Sequence, residues 1–257
     1  MKIAQITAFP ETRPGGSQAY CFELSKRLQA RGHEVRIFTS DAPGNGREVS
    51  SARNLNVDRA PSHGNLWGIN PLVSIFPRIV KEDYDVIHAH SYLFFTSLQA
   101  GLAGLVRRTP TLLHLHGGLE SFAIQGSRAT QRRLLAKKWF FDKTLGRWIM
   151  SVADVIASVS KFDLRTAETV FGADPKKLVY VPNAVDTDRF PLRTPSNGEN
   201  ATISFVGRLE YWKGADVFLR IAKSLFRRRK DVRALAAGGG SLAPEFLRAA
   251  SEFRNRF

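Results

Sequence analysis

Short apolar runs alternate with longer stretches whose apolar positions recur every three or four residues. The runs Ile3–Phe9, Val35–Thr39, Leu55–Ala60, Val86–Ala89, Thr111–Leu115, Val155–Val159 and Leu178–Val181 predict strands. Ser17–Arg31, Pro71–Lys81, Phe94–Val106 and Thr130–Met150 predict helices. The first has Ser17 placed as an N-cap and Gly32 just past its end; the second has a proline in its first turn. Ser160 opens a further helix. Apolar strands separated by helices predict a parallel sheet covered on both faces.

The pattern then breaks. Residues 191–200 (PLRTPSNGEN) have no apolar period and read as a linker. Beyond them come strand Thr202–Val206, helix Ala215–Arg228, strand Val232–Ala237, the loop Gly238-Gly239-Gly240 and helix Pro244–Phe253. Two such βα units make about a third of a doubly wound domain. The expected organisation is a Rossmann-like domain over 1–190, the linker, and an incomplete second Rossmann-like domain over 201–257.

A chain of 257 residues that is 43% hydrophobic has material for a substantial core, which excludes a disordered protein. Its single cysteine, Cys21, excludes an internal disulfide framework and lies on a helical apolar stripe, as a core thiol would. The N-terminus reads as a strand, not a leader, and Tyr92–Val106 is interrupted by Thr96, Ser97 and Gln99, too polar for a membrane span. A cytoplasmic location is expected.

The net charge of +15 favours anionic partners. No nucleic-acid-binding motif accompanies it, so nucleic acid is not an expected partner. Over 126–149 the cations Arg128, Arg132, Arg133, Lys137, Lys138, Lys143 and Arg147 face a single acid, Asp142, with apolar residues at helical spacing. That pattern suits peripheral contact with an anionic membrane, or a domain helix with one buried stripe and one solvated face.

In a doubly wound sheet the loops beyond the strands' carboxyl ends carry the chemistry. Gly15 and Gly16 precede the first helix, where backbone N–H groups and partial positive charge suit a phosphate. The spaced dinucleotide fingerprint is missing there, which disfavours NAD. His114 and His116 share one strand face, and His116 stands beside Gly117 and Gly118. No third ligand follows at metal-site spacing, so no metal is expected. His88 and His90 repeat the pattern one strand earlier, as pocket lining or structure. Arg208 and Lys213 flank the turn after strand Thr202–Val206 and suit a diphosphate, the arginine by a bidentate grip and the lysine as a point charge. Gly238, Gly239 and Gly240 allow close backbone approach to a nucleotide or form a plain βα turn.

Taken together, PGGSQAYCFELSKRLQARGHEV, TLLHLHGG, SVSKFDLRTAETVFGADPKKLVYVPNAVDTDRF, FVGRLEYWKGADVFLRIAKSL and AAGGGS resemble, in order, the retaining glycosyltransferases of family 4 with the GT-B fold. The resemblance implies an acceptor-binding N-terminal domain and a second domain that binds a UDP- or GDP-sugar. It implies that Arg208 and Lys213 neutralise the donor diphosphate, that Gly16 offers its N–H to the same phosphates, and that His116 lies near the transferred sugar. It implies no cofactor, and a lipid, glycan or small polyol acceptor. The family's pair of donor-site glutamates would fall beyond position 257; Glu245 and Glu252 come too early and read as surface residues. The expected function is sugar transfer with retention. The alternatives are a truncated, non-catalytic acceptor- or membrane-binding module and, third, a sugar-nucleotide epimerase of the same fold.

Overall fold

The computed structural model describes residues 1–13, 15–42, 54–66, 70–117, 119, 139–190, 201–254 and 256–257. They fall into two compact units, one drawing on Met1–Ser121 and Leu135–Ala184, the other including Val185–Phe257.

The larger unit is a seven-stranded sheet of β1 (Lys2–Ile6), β2 (Glu34–Ser40), β3 (Asn56–Ala60), β6 (Val86–His90), β7 (Thr111–Leu115), β8 (Val155–Ser158) and β9 (Leu178–Tyr180), in the order β3-β2-β1-β6-β7-β8-β9. Every pairing is parallel. The crossovers are helices α1 (Gly16–Ala30), α3 (Phe95–Arg107), α4 (Arg147–Val152) and α5 (Lys161–Thr169), with a short α2 (Phe76–Ile79) before β6.

Side-chain alternation sorts the strands' residues between the two faces. Ala4, Ile6, Phe38, Ile87, Ala89, Leu113, Leu115 and Ile156 join the main core with residues of α2, α3 and α4. On the opposite face Ile37 packs with Cys21 and Phe22 of α1. Burial pushes the Cys21 thiol up to about 12, so it is a core residue and not a nucleophile.

Most expected elements are present, and Ser160 caps α5, its Oγ accepting from the Asp163 N–H at 3.3 Å. Three expectations are corrected. The helix expected over Pro71–Lys81 is strand β5 (Asn70–Val73) followed only by α2; β5 forms an antiparallel hairpin with β4 (Ser62–Leu66). Pro71 is tolerated because β5 pairs with β4 alone, and Gln99 of α3 holds the next turn from outside. Its Oε1 accepts from the Ile75 and Phe76 N–H groups at 2.7 and 2.9 Å, and its Nε2 donates to the Val73 carbonyl at 2.8 Å. Second, α1 is capped by Gly15 rather than Ser17, whose hydroxyl donates to Gln18 Oε1 instead. Third, the helix expected over Thr130–Met150 is described only from 139 onward, where a π turn (Asp142–Gly146) interrupts it. Asp142 there is buried and accepts from the Tyr92 hydroxyl at 3.2 Å, so it is not part of a solvated face.

The smaller unit has β10 (Ala201–Val206) and β11 (Val232–Ala237) in parallel, with α6 (Ala215–Arg228) and α7 (Ala243–Glu252). Phe205, Phe218 and Phe246 build its core with Leu209 and Leu242. Glu245 and Glu252 are both on α7, paired with Arg248 and Lys223. The linker residues 191–200 lie outside the described residues.

Gly104 shows how tightly α3 lies on β7. A Cβ there would sit 2.1 Å from Thr111 Oγ1 and 3.1 Å from the Thr109 carbonyl. Gly→Ala inside a helix ordinarily gains about 0.5–1 kcal/mol. Here Gly104→Ala is expected to cost a net ~1–2 kcal/mol by overpacking, measured by urea denaturation, and less in a Thr111→Ala background.

Candidate active site

Strand order reverses between β1 and β6: the chain runs outward through β2 and β3, then restarts on the other side of β1. A crevice opens beyond the carboxyl ends of the strands at such a point. Beside this reversal, within and just after β6 and β7, the structure gathers a ring cluster that no single segment of sequence displays.

His88 and His90 of β6 and His114 of β7 project from the face opposite the main core, and His116 follows β7 on the same side. Rings two apart on a strand stack, His88 on His90 at 4.3 Å and His114 on His116 at 4.5 Å between centroids. Across the strands, His88 Nε2 is 3.3 Å from His114 Nδ1 and His90 Nδ1 is 2.9 Å from His116 Nε2. His90 Nε2 reaches Gln5 Oε1 of β1 at 2.7 Å, across the reversal point itself. Tyr20 of α1 closes the cluster, its ring edge-on to His114 and His116 at 4.9 Å each.

The first three imidazoles are buried and His116 is partly buried. Desolvation, reinforced by neighbouring imidazoles, pushes His88 down to about 3 and His116 to about 3; desolvation alone lowers His114 to about 4. His90 falls well below the usual range for the same reasons. All four rings, His116 included, are therefore neutral at pH 7.

Beside this cluster, α1 starts at Gly16. No side chain caps it and its first turn holds no acid. Its free N–H groups leave partial positive charge at this end. A Cβ on Gly16 would meet nothing within 4 Å, whereas one on Gly15 would sit 2.1 Å from Gln18 Oε1.

The smaller unit carries the other expected residues. Arg208 and Lys213 both lie against Trp212, the guanidinium 5.9 Å and the ammonium 4.6 Å from the ring centroid. Among the described residues neither is in an ion pair with a carboxylate. Glu210, between them in sequence, turns instead to the glycine loop. It accepts from the Ser241 N–H at 2.9 Å and the Ser241 hydroxyl at 2.6 Å, bonds that hold its carboxyl below the usual range.

The glycines after β11 have a local reason. A Cβ on Gly238 would sit 1.8 Å from the Gly207 carbonyl oxygen, and one on Gly240 2.5 Å from that of Leu209. Both have φ above +150°. The two βα loops run against each other, with Leu209 N–H donating to the Gly239 carbonyl at 3.0 Å. Gly239 itself has open space around it.

Residues 14–189 match the pattern of Glycosyltransferase Family 4. The chain belongs to that family. It is 26% identical to the D-inositol 3-phosphate glycosyltransferase of Corynebacterium aurimucosum, over 94% of this chain and 63% of the relative. It is 27% identical to the phosphatidylinositol N-acetylglucosaminyltransferase gpi3 subunit of Schizosaccharomyces pombe, over 90% of this chain and 49% of the relative. The chain thus spans about half to two thirds of these relatives' lengths. Among solved structures it is similar to HepE of Anabaena in complex with UDP-glucose, with TM-score 0.68 and 17% identity over 100% of this chain and 67% of that one. The fold class is the GT-B type expected from sequence. No helix among the described residues is long and apolar enough to cross a membrane.

Reading sequence alone missed Gln5, Tyr20, Glu210 and Trp212. Gln5 left one signal, a polar residue inside the apolar run Ile3-Ala4-Gln5-Ile6.

The neutral cluster sets a pH dependence. Below the ordinary histidine value of 6.5 the unfolded chain takes up protons that the folded cluster refuses. Stability of the larger unit is full above that value and falls as pH drops toward about 4 and then 3. The slope is up to about 1.4 kcal/mol per pH unit for each histidine. Urea denaturation across this range measures it, and His88→Gln is expected to remove one histidine's share. A flat profile would show that the rings are not buried neutral.

Proposed function

We propose that this protein transfers a sugar from a UDP- or GDP-sugar to a hydroxyl acceptor with retention of anomeric configuration. The observation that carries the reading is the pair Arg208 and Lys213, both against one tryptophan after β10; among the described residues neither forms a salt bridge, Glu210 being close enough only for Arg208 to help lower its carboxyl. Departure of a nucleoside diphosphate builds negative charge on phosphate oxygen. Fixed cations aimed there stabilise the transition state more than the ground state. They also supply the charge that a metal ion would otherwise bring, so the transfer is assigned no cofactor. The donor is the proposed ligand of the smaller unit, with Gly238, Gly239 and Gly240 beside the nucleotide. The similarity to HepE, a protein solved with UDP-glucose, supports a nucleotide-sugar donor.

The larger unit takes the acceptor in this reading. Within this unit, the α1 start at Gly15 and Gly16 is the proposed contact for phosphate, and neutral His116 the proposed hydrogen-bonding partner of a sugar. A sugar passing through an oxocarbenium-like state needs no strong protein nucleophile. The acceptor is a lipid, glycan or small polyol. The names of the two relatives, which act on inositol phosphate and phosphatidylinositol, are consistent with that class. Peripheral contact with an anionic membrane is assigned to 126–149. Of that segment 126–138 lies outside the described residues, while Trp139 and Phe140 are exposed and Lys143 stands 5.0 Å from the Trp139 ring centroid.

Calorimetric titration with UDP and GDP tests the donor site. Arg208→Ala and Lys213→Ala are each expected to weaken binding by about 10- to 100-fold, the worth of a charged hydrogen-bonding partner. Unchanged affinity in both folded variants overturns the assignment. Nucleotide binding without sugar transfer would favour the non-catalytic module.

A further inference from the structure

We propose that His88, His90 and His114 form a binding site for a borderline divalent transition-metal ion such as Zn²⁺ or Co²⁺. Each offers one ring nitrogen, and the three nitrogens lie within 4.8 Å of one another. His88 Nε2 and His114 Nδ1 are already 3.3 Å apart. Two nitrogens bound tetrahedrally to one ion at about 2.0–2.1 Å stand about 3.3–3.4 Å apart. The backbone holds this spacing, since β6 and β7 are in fixed parallel register with His90 beside His114. The rings are buried and mutually stacked on paired strands, and the ion would replace the His88–His114 contact with a bond to each nitrogen.

The donor set selects the ion. Three neutral imidazoles with no carboxylate in the group suit Zn²⁺, Co²⁺, Ni²⁺ or Cu²⁺, not Mg²⁺ or Ca²⁺, which take oxygen. Gln5 Oε1 on His90 Nε2, at 2.7 Å, is the kind of support that orients a ligating imidazole. It leaves Nδ1 as the ligand atom of His90.

That geometry has a consequence. His90 Nδ1 is the atom now 2.9 Å from His116 Nε2. An ion taking it releases His116 from its partner, so metal occupancy and the present His116 orientation exclude each other. The site would act as an inhibitory metal switch on transfer. This consequence rests on the role proposed for His116; the metal site itself does not.

The test uses the full chain, free of any histidine tag and treated with chelator, titrated with Co²⁺. The expected result is one Co²⁺ per chain with the visible bands of tetrahedral coordination, displaced by Zn²⁺. His88→Ala and His114→Ala should each weaken binding by about 100-fold or more, beyond the 10- to 100-fold typical of a lost supporting contact, which Gln5→Ala should show. Replacing His33 and His63, outside the cluster, should change nothing. Absent bands, or binding that survives both ligand substitutions, overturns the proposal. Should the alanine variants fail to fold, ¹⁵N spectra of the unmodified chain decide: Zn²⁺ must shift ring nitrogens of all three histidines, and unmoved resonances overturn the site. Both readouts are independent of sugar transfer, so the failure of either reading is seen separately.

Discussion

Parallel strands cannot be joined by a tight turn; each crossing carries the chain over a sheet face. β1 pairs on one side with β2 and on the other with β6, and the reversal this creates decides where everything else goes. It places α1 against one face and the α3 side of the sheet against the other. It brings Gln5 of β1 to His90 of β6, and α1 begins at the same side with no side-chain cap. A main chain with the same residues in another strand order would scatter these groups.

Within that frame the imidazoles obey a second constraint. Burying charge is costly and burying polar groups is tolerable only when they are bonded. Four histidines on the face away from the main core meet this by staying neutral and bonding one another and Gln5. Two polar atoms here, His114 Nε2 and Gln5 Nε2, are buried without a hydrogen-bond partner.

The smaller unit follows a different rule. Its two βα loops approach so closely that Gly238 and Gly240 are required by the opposing backbone. Glu210 ties one loop to the other through Ser241, which keeps this acid on the glycine loop. Trp212 gathers the two cations. Loop packing, acid placement and cation placement are one arrangement, and together they leave positive charge at the strand end.

Much of this was legible in the sequence, and the reason is locality. Periods of two and of three to four residues are properties of neighbouring residues, so α6 and β11 were expected at their observed bounds, and Ser160 was expected to open α5. The residues Arg208, Lys213, Gly16 and His116 were singled out by residue type and spacing at strand ends. Where local preference met a distant partner, tertiary structure decided. Gln99 and the β4 hairpin turned an expected helix at Pro71 into a strand, and Tyr92 drew Asp142 into the interior. The histidine cluster belongs to the second kind. Two His-X-His segments were visible, but only the pairing of β6 with β7 sets their nitrogens within reach of one another, because register between strands is a long-range fact that no local spacing encodes.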